Sequence, residues 1–331
     1  MNSRKIITTY PDLSSACQRV TNSGLENIIS VGARPSGSIH VGNLVAIANS
    51  FIIARKIGSH LSSVDFTICN LDMPDMMDWE IGKKPFTKYF AQIPHPNGNG
   101  SLLDVARKDL ELALCEFSKR SGVGYDVGLF SDIQKKIEFR EGLKKIIEQK
   151  KKKVPIYPIC PSCRTGRTSF LSPDDVSQER VFCENPECKV QEYRFDVSDT
   201  NTDLSVHFGI DPIRDVLFGK NTSFHVFGRD YLDEDKTLRR GGKHITKIDR
   251  VSEYSQLVAG DSSQQPYYFL TPMIYAADGS KMSKSRNNGL DLGQLVKKKD
   301  GLKRLFDFAE EIADINMSHV DYSFVHNRLL N

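Results

Sequence analysis

The spacing of apolar residues predicts an α/β fold at the start of the chain. Residues 27–31 and 64–70 are short, apolar and rich in β-branched side chains, which predicts two buried strands. Between them, residues 41–55 carry apolar side chains at helical spacing, and Gly58 stands where a helix C-cap is expected. Strand, helix and strand in this order form a βαβ unit. We therefore expect a doubly wound parallel sheet whose ligands bind beyond the carboxyl ends of its strands.

The alternation of predicted strands and helices continues further along the chain. It predicts a helical or irregular lead-in before residue 26, a helix over 101–121, and strands over 125–130, 223–227 and 267–275. Ser131 and Gln134 resemble a capping box that opens a helix to about residue 153. The Pro- and Gly-bearing residues 80–100 predict a long excursion over the site, and residues 291–331 have apolar positions for one helix or two.

The turn between the first strand and its helix is the first candidate site. It contains Arg34, Pro35, Ser36, Gly37 and Ser38, and the helix then opens with His40, Val41, Gly42 and Asn43. Such a turn aims backbone N–H groups along the positive end of the helix dipole, which favours an anion. His40 can donate a hydrogen bond to a phosphate, and Gly42 leaves room for a nucleotide close to the helix. A lone histidine here is more often a surface residue, and no G-x-G-x-x-G or Walker pattern is present.

A second candidate site, KMSKS at 281–285, follows the apolar run 267–275 and a turn at 278–280. Its two lysines, Lys281 and Lys284, stand among the small hydroxyl residues Ser283 and Ser285. Such a loop can close over a triphosphate and neutralise the charge that develops at its α-phosphate. The alternative is a solvated basic loop.

HVGN at 40–43 and KMSKS at 281–285 together resemble the two signature motifs of the class I aminoacyl-tRNA synthetases. The resemblance implies a Rossmann-like HUP nucleotide-binding fold. It also implies attack of an amino-acid carboxylate on the α-phosphate of ATP, which gives an aminoacyl-adenylate and pyrophosphate. By this resemblance the catalytic residues are His40, Asn43, Lys281 and Lys284, with Mg²⁺ assisting. The residues it implies for ATP binding are Pro35, Ser36, Gly37, Gly42, Met282, Ser283 and Ser285.

Within that class, the chain is most similar to the lysyl enzymes. Their PSG-x-IH-x-GN string matches residues 35–43, their D-M-D segment is similar to residues 72–75, and their F-G-K-D-H is similar to residues 227–231. The implied substrate-binding residues are Arg34, Asp72, Asp75, Gly228, Arg229, Asp230 and Tyr231. Asp72 and Asp75 could bind an ammonium group or serve in helix capping and the turn around Pro74. Arg34 stands where the lysyl enzymes usually carry a small hydroxyl residue, and a fixed cation there favours a carboxylate.

Four of the seven cysteines form two pairs at metal-ligand spacing. They are Cys160-x2-Cys163 and Cys183-x4-Cys188. Four thiolates in two such pairs suit a tetrahedral Zn²⁺ ion, and with no open coordination position the ion would be structural. The alternative is four unrelated free thiols. We expect Cys17, Cys69 and Cys115 to be isolated core residues.

Composition indicates a cytoplasmic protein. Charged residues make up 26% of the 331 residues, the formal net charge is +3, and no apolar leader or run of transmembrane length is present. In the cytosol the cysteines should stay reduced unless they bind metal. The slight positive charge permits a nucleic-acid partner without requiring one.

These patterns divide the chain into four segments: residues 1–153 and 196–290 as the two halves of the catalytic domain, 154–195 as a zinc-binding insertion, and 291–331 as a short helical C-terminus. The lysyl enzymes continue into an anticodon-binding domain that residues 291–331 are too few to form, so we expect a truncated paralogue.

The segments and motifs lead to three hypotheses. The first is a ligase that passes its aminoacyl group to a small-molecule amine, a carrier protein or a tRNA stem. The second is a lysyl-type aminoacyl-tRNA ligase that reads the acceptor arm or uses a partner subunit. The third is a non-catalytic regulatory or binding paralogue, which the two intact motifs disfavour because a pseudoenzyme has no need of both lysines.

Overall fold

The computed structural model describes residues 6–23, 26–33, 39–69, 78–81, 84–87, 100–150, 156–164, 180–183, 185–206, 222–232, 246–259, 266–282, 289–317 and 319–330. Its strands are β1 (Ile6–Ile7), β2 (Asn27–Ala33), β3 (Ser62–Ile68), β4 (Asp78–Ile81), β5 (Lys84–Thr87), β6 (Gly124–Leu129), β7 (Ile156–Pro158), β8 (Arg180–Phe182), β9 (Glu192–Arg194), β10 (Leu204–Val206), β11 (Thr222–Phe227), β12 (Tyr267–Leu270), β13 (Met273–Ile274) and β14 (His319–Val320). Its helices are α1 (Tyr10–Thr21), α2 (Val41–Ile57), α3 (Leu102–Ser121), α4 (Phe130–Ile133), α5 (Ile137–Lys150), α6 (Lys247–Ala259), α7 (Leu292–Val296), α8 (Gly301–Asp314) and α9 (Tyr322–Leu329).

A six-stranded parallel sheet lies at the centre, with the order β1-β12-β11-β2-β3-β6. The predicted βαβ unit is confirmed, since β2 and β3 pair in parallel over seven residues and α2 connects them. From β2 the chain adds β3 and then β6 on one side, whereas β11 and β12 lie on the other side. The strand order therefore reverses between β2 and β11, and the crevice beyond their carboxyl ends is where such sheets bind ligands.

Helices contribute to two separate apolar cores. One core contains Leu13 of α1, Phe51 of α2, Phe117 of α3 and Phe306 of α8. The other contains residues of α5 and α6, such as Leu143 and Val251, together with the region of the cysteine pairs. Because Phe269 belongs to the first core and its neighbours Tyr268 and Leu270 to the second, the cores lie on opposite faces of β12. The predicted doubly wound α/β fold is thereby confirmed.

The predicted capping box at residues 131–134 was wrong. Ser131 and Gln134 form no capping box: α4 begins at Phe130 without a side-chain cap, and Gln134 follows it. Gln134 is buried, and its Oε1 accepts the backbone N–H of Leu204 at 2.9 Å, so this side chain ties α4 to β10. The chain then bends before α5, which ends at Lys150.

Other boundaries differ because of short elements and packing. The predicted strand 267–275 divides into β12 and β13 at Thr271 and Pro272, since proline offers no N–H to a ladder. The described residues after 291 form three helices rather than one or two. The two residues of β1 are too few to show a strand pattern in the sequence. Cys115 is exposed, whereas Cys17 and Cys69 are buried as expected. Within the described ranges, no helix has both the length and the apolar character needed to cross a membrane.

Candidate functional site

The structure brings three of the predicted segments together in one cleft at the reversal of strand order. His40, Gly42 and Asn43 line it from the start of α2, Gly228 and Arg229 from the end of β11, and Lys281 and Met282 from the segment after β13. Sequence reasoning missed four further lining residues, Thr271, Pro272, Met273 and Ile274. The apolar pattern conceals them because it predicts a strand over the whole run 267–275, although Pro272 interrupts that strand.

His40 is the N-cap of α2, and its orientation is set by the helix that it caps. Its Nδ1 accepts the backbone N–H of Gly42 at 3.0 Å. A neutral imidazole that accepts at Nδ1 carries its proton on Nε2, so the ring presents a donor suited to a phosphate oxygen. A Cβ added at Gly42 would lie 2.8 Å from Cε1 of His40. Gly42 therefore makes room for the histidine ring, in addition to the predicted room for a nucleotide.

The lysine segment is supported by a β-hairpin. The backbone N–H of Met282 donates to the carbonyl of Ile274 at 2.9 Å, and Tyr275 lies opposite Lys281 as an antiparallel pair. The predicted turn at 278–280 is confirmed, with Gly279 at a φ of 72°. The hairpin is itself held by the C-terminal segment, because β13 pairs with β14. This hairpin, residues 273–282, fixes the backbone of Lys281 at the cleft.

The chain just after the lysine motif is joined to the residues on both sides of His40. The N–H of Val41 donates to the carbonyl of Leu290 at 2.8 Å, and the N–H of Leu292 donates to the carbonyl of Ile39 at 2.8 Å. His40 and Asp291 lie opposite each other in this bridge. The start of α2 is therefore bonded through its backbone to residues 290–292, a few residues after the lysine motif.

Gly228 and Arg229 form the third side of the cleft. Arg229 begins a 3-10 helix, Arg229–Leu232, and its Nη1 donates to the carbonyl of Thr8 at 3.4 Å. The Tyr231 ring stacks on Phe227 with a centroid distance of 4.5 Å. Asp230 lies in the same 3-10 helix. Among the described residues that line the cleft, this segment contributes Gly228 and Arg229, whereas Tyr231 packs beside the second core.

The remaining predicted residues lie outside the described ranges, and their roles stay predictions. They are Arg34, Pro35, Ser36, Gly37, Asp72, Asp75, Ser283, Lys284 and Ser285.

The four paired cysteines converge as predicted. All four Sγ atoms lie within 4.8 Å of one another, with Cys160 and Cys188 at 3.8 Å and Cys163 and Cys183 at 3.5 Å. Tetrahedral zinc with Zn–S bonds of about 2.3 Å requires S–S separations of about 3.8 Å, so the cluster could hold this ion. Burial raises the pKa of the Cys160 and Cys183 thiols, so binding of the cation must release their protons.

Neither a protein-family model nor a curated protein matches this chain. Among solved structures, it is similar to one described as an arginyl-tRNA synthetase from Campylobacter jejuni, with 12% identity and a TM-score of 0.41 over 95% of this chain and 70% of that one. It is also similar to tryptophanyl-tRNA synthetase from Campylobacter jejuni, with 14% identity and a TM-score of 0.37 over 86% of this chain and 66% of that one. The same enzyme complexed with ADP and tryptophan matches with 14% identity and a TM-score of 0.37 over 84% of this chain and 66% of that one. These are low identities and low TM-scores.

Proposed function

We propose that this protein uses ATP to activate an amino acid as an aminoacyl-adenylate. The observation that carries the proposal is the single cleft that collects His40, Gly228 and Lys281 from three distant segments. The cleft lies where the strand order of a parallel sheet reverses and at the positive end of the α2 dipole, which favours a negatively charged phosphate. The two sequence motifs indicate His40 and Lys281 independently of the geometry.

The chemistry follows from these groups. The amino-acid carboxylate attacks the α-phosphorus of ATP, a new O–P bond forms, and the bond to pyrophosphate breaks as that group leaves. His40 would donate its Nε2 proton in a hydrogen bond to a phosphate oxygen, and Asn43 would hold the ribose side of the nucleotide. Lys281 and Lys284 would stabilise the negative charge that grows on the phosphate oxygens. Mg²⁺ would supply further positive charge on the phosphates when it is bound.

The cleft must widen to accept a nucleotide. It encloses only about 20 Å³ in this structure, whereas small-molecule pockets commonly have about 300–1,000 Å³. Because its walls come from three different segments, separation of these walls enlarges the cleft without breaking the central sheet. We therefore expect ATP to change the relative positions of α2 and the hairpin 273–282.

For the amino acid, two substrate classes follow from the sequence. Asp72 and Asp75 favour an ammonium group, as in a lysyl-type enzyme, whereas Arg34 favours a carboxylate. The Arg229 guanidinium in the cleft adds a second cation near the proposed site. Because single pocket contacts change selectivity by only about 1–3 kcal/mol, the substrate has to be found by a screen.

The test is amino-acid-dependent exchange of pyrophosphate into ATP, screened over the proteinogenic amino acids without and with total tRNA. We expect exchange with one amino acid. Exchange without tRNA leaves a small amine, a carrier protein or a tRNA stem as the acceptor, whereas exchange only with tRNA indicates an aminoacyl-tRNA ligase.

Lys281→Ala and His40→Ala should each lower the exchange rate by about 100-fold or more, since each removes a group placed at the transferring phosphate. Lys144→Ala is the matched control, because Lys144 is an exposed lysine on α5. Absence of exchange under every condition, with ATP binding intact, would favour the non-catalytic paralogue and contradict the proposal.

The second part of the proposal concerns the insertion. We propose that Cys160, Cys163, Cys183 and Cys188 hold a structural Zn²⁺ ion. Support comes from the convergence of their sulfur atoms and from the short antiparallel pair of β8 and β9, which carries Cys183 at its edge.

A further inference from the structure

A second cavity, of about 560 Å³, lies between the C-terminal half of α3, the end of α7 and the first turn of α8. Leu295 and Gly301, both buried, form part of its lining. Its cations are Lys119 and Arg120 of α3, Lys298 before α8, and Lys303 in the first turn of α8. None of these residues belongs to the ATP cleft described above.

The first turn of α8 is held in a fixed position beside this cavity. A Cβ added at Gly301 would lie 2.2 Å from the carbonyl oxygen of Leu295, so α7 and α8 meet at a corner that only glycine permits. Asp300 precedes the helix with a φ of 59° and forms no side-chain cap. The first N–H groups of a helix have no partner within it, and they add positive potential to the cavity.

The lining has more cations than acids. It contains four cationic side chains and the carboxylates of Glu116 and Asp300, and Asp307 pairs with one of the cations. Arg120 pairs with Asp307, but its buried Nε has no hydrogen-bond acceptor in the described part of the chain. Lys298 donates to the carbonyl of Leu330 at 2.9 Å. Lys119 and Lys303 form no ion pair with any residue that the structure describes.

We propose that this cavity is an anion site for a ligand with two or more linked phosphate groups. Its volume is in the range of small-molecule pockets, and a single phosphate would reach only part of it. Lysine and arginine on several sides, together with a helix N-terminus, suit oxygens spread over adjacent phosphates. A free oligophosphate and the backbone of an RNA share this chemistry.

The test is calorimetric titration of the full-length protein with inorganic tripolyphosphate, without amino acid or turnover. The protein should bind it, and Lys119→Gln with Lys303→Gln should weaken binding by about tenfold or more, because two charge-assisted contacts are lost. The control, Lys108→Gln with Lys144→Gln, makes the same change of net charge at exposed positions of α3 and α5. Lys281→Ala should weaken any binding of tripolyphosphate at the ATP cleft and leave binding at this cavity in place.

A short single-stranded RNA distinguishes the two sources. If the RNA competes with tripolyphosphate, and if Lys119→Gln with Lys303→Gln abolishes RNA binding, the ligand is a nucleic-acid backbone. Binding of tripolyphosphate without binding of RNA supports a free oligophosphate. Failure of both probes to bind, or equal binding to the double variant and the control, would overturn the proposal. Neither result depends on amino-acid activation.

Discussion

At the scale of single residues, Gly42 has a role that the motif alone did not reveal. The sequence indicated space for a nucleotide, but the structure shows that the glycine also admits the His40 imidazole, whose Nδ1 caps the helix. The same bond determines which nitrogen of the ring can donate. The absent side chain of Gly42 therefore gives the ring its space, and the backbone N–H of Gly42 sets its orientation and tautomer.

Gly42→Ala should consequently impair activation more than stability. The new methyl group would force the His40 ring from its cap position, and a displacement of about 1 Å can cost about 100-fold in rate. We expect a fall of this order in ATP–pyrophosphate exchange, with a modest change in melting temperature. Gly124→Ala is the control, since a Cβ there meets nothing within 4 Å. Equal exchange rates for the two variants would show that the position of the His40 ring does not affect activation.

At the scale of elements, Gly289 lies between the hairpin 273–282 and the segment 290–292 that is bonded to the start of α2. A Cβ at Gly289 would lie 2.3 Å from Cγ of Met282, whose side chain is buried. Met282 therefore fills the space that Gly289 leaves, directly beside the backbone bond between Val41 and Leu290.

Gly289→Ala should push Met282 aside and move Lys281 relative to His40. Overpacking of this kind costs about 1–3 kcal/mol in the free energy of unfolding, which denaturant unfolding can measure. We expect a lower exchange rate even where the variant is fully folded. Gly289→Val should lower both the exchange rate and the free energy of unfolding more than Gly289→Ala does, because its larger side chain increases the clash with Met282. A fully active valine variant would contradict this account.

A separate prediction concerns the four paired cysteines. The Cys183→Ser variant should not bind the proposed zinc, because one of the four ligands is missing and the other thiols stay protonated. Its melting temperature should fall, because the ion no longer links the β8–β9 pair to the other two cysteines. Elemental analysis of the purified protein measures the zinc, and Cys115→Ser is the control at an exposed cysteine. Wild-type protein that contains no zinc, or that melts unchanged after chelation, would rule out the structural ion.

At the scale of the whole molecule, the sequence was most informative where a local pattern determined the structure. The βαβ unit, the helix α3 and the four clustered cysteines followed from periodicity and spacing alone. The bond from Gln134 to β10 did not, because the partners are far apart in the chain and a capping box has the same letters. The bridge between His40 and Asp291 was likewise invisible, since backbone hydrogen bonds have no sequence signature.

The C-terminal helices give the clearest whole-molecule prediction, because they share a core with the central sheet. Phe306 of α8 is fully buried, its ring centroid lies 5.5 Å from that of Phe117, and the Arg55 and Arg120 guanidinium groups lie over its ring. Phe306→Ala should therefore lower the free energy of unfolding by about 3–5 kcal/mol, the usual cost of a large cavity.

Phe182→Ala makes the same chemical change at a side chain that is 67% exposed, and it should cost less than about 0.5 kcal/mol. If α7 to α9 unfold together with α1 to α3, the Phe306 variant should shift the transition of the main sheet itself, as followed by denaturant unfolding. A separate early transition that leaves the main one unchanged would show instead that the C-terminal helices are an independent unit. In that case, the link between β13 and β14 would not hold the lysine hairpin in place.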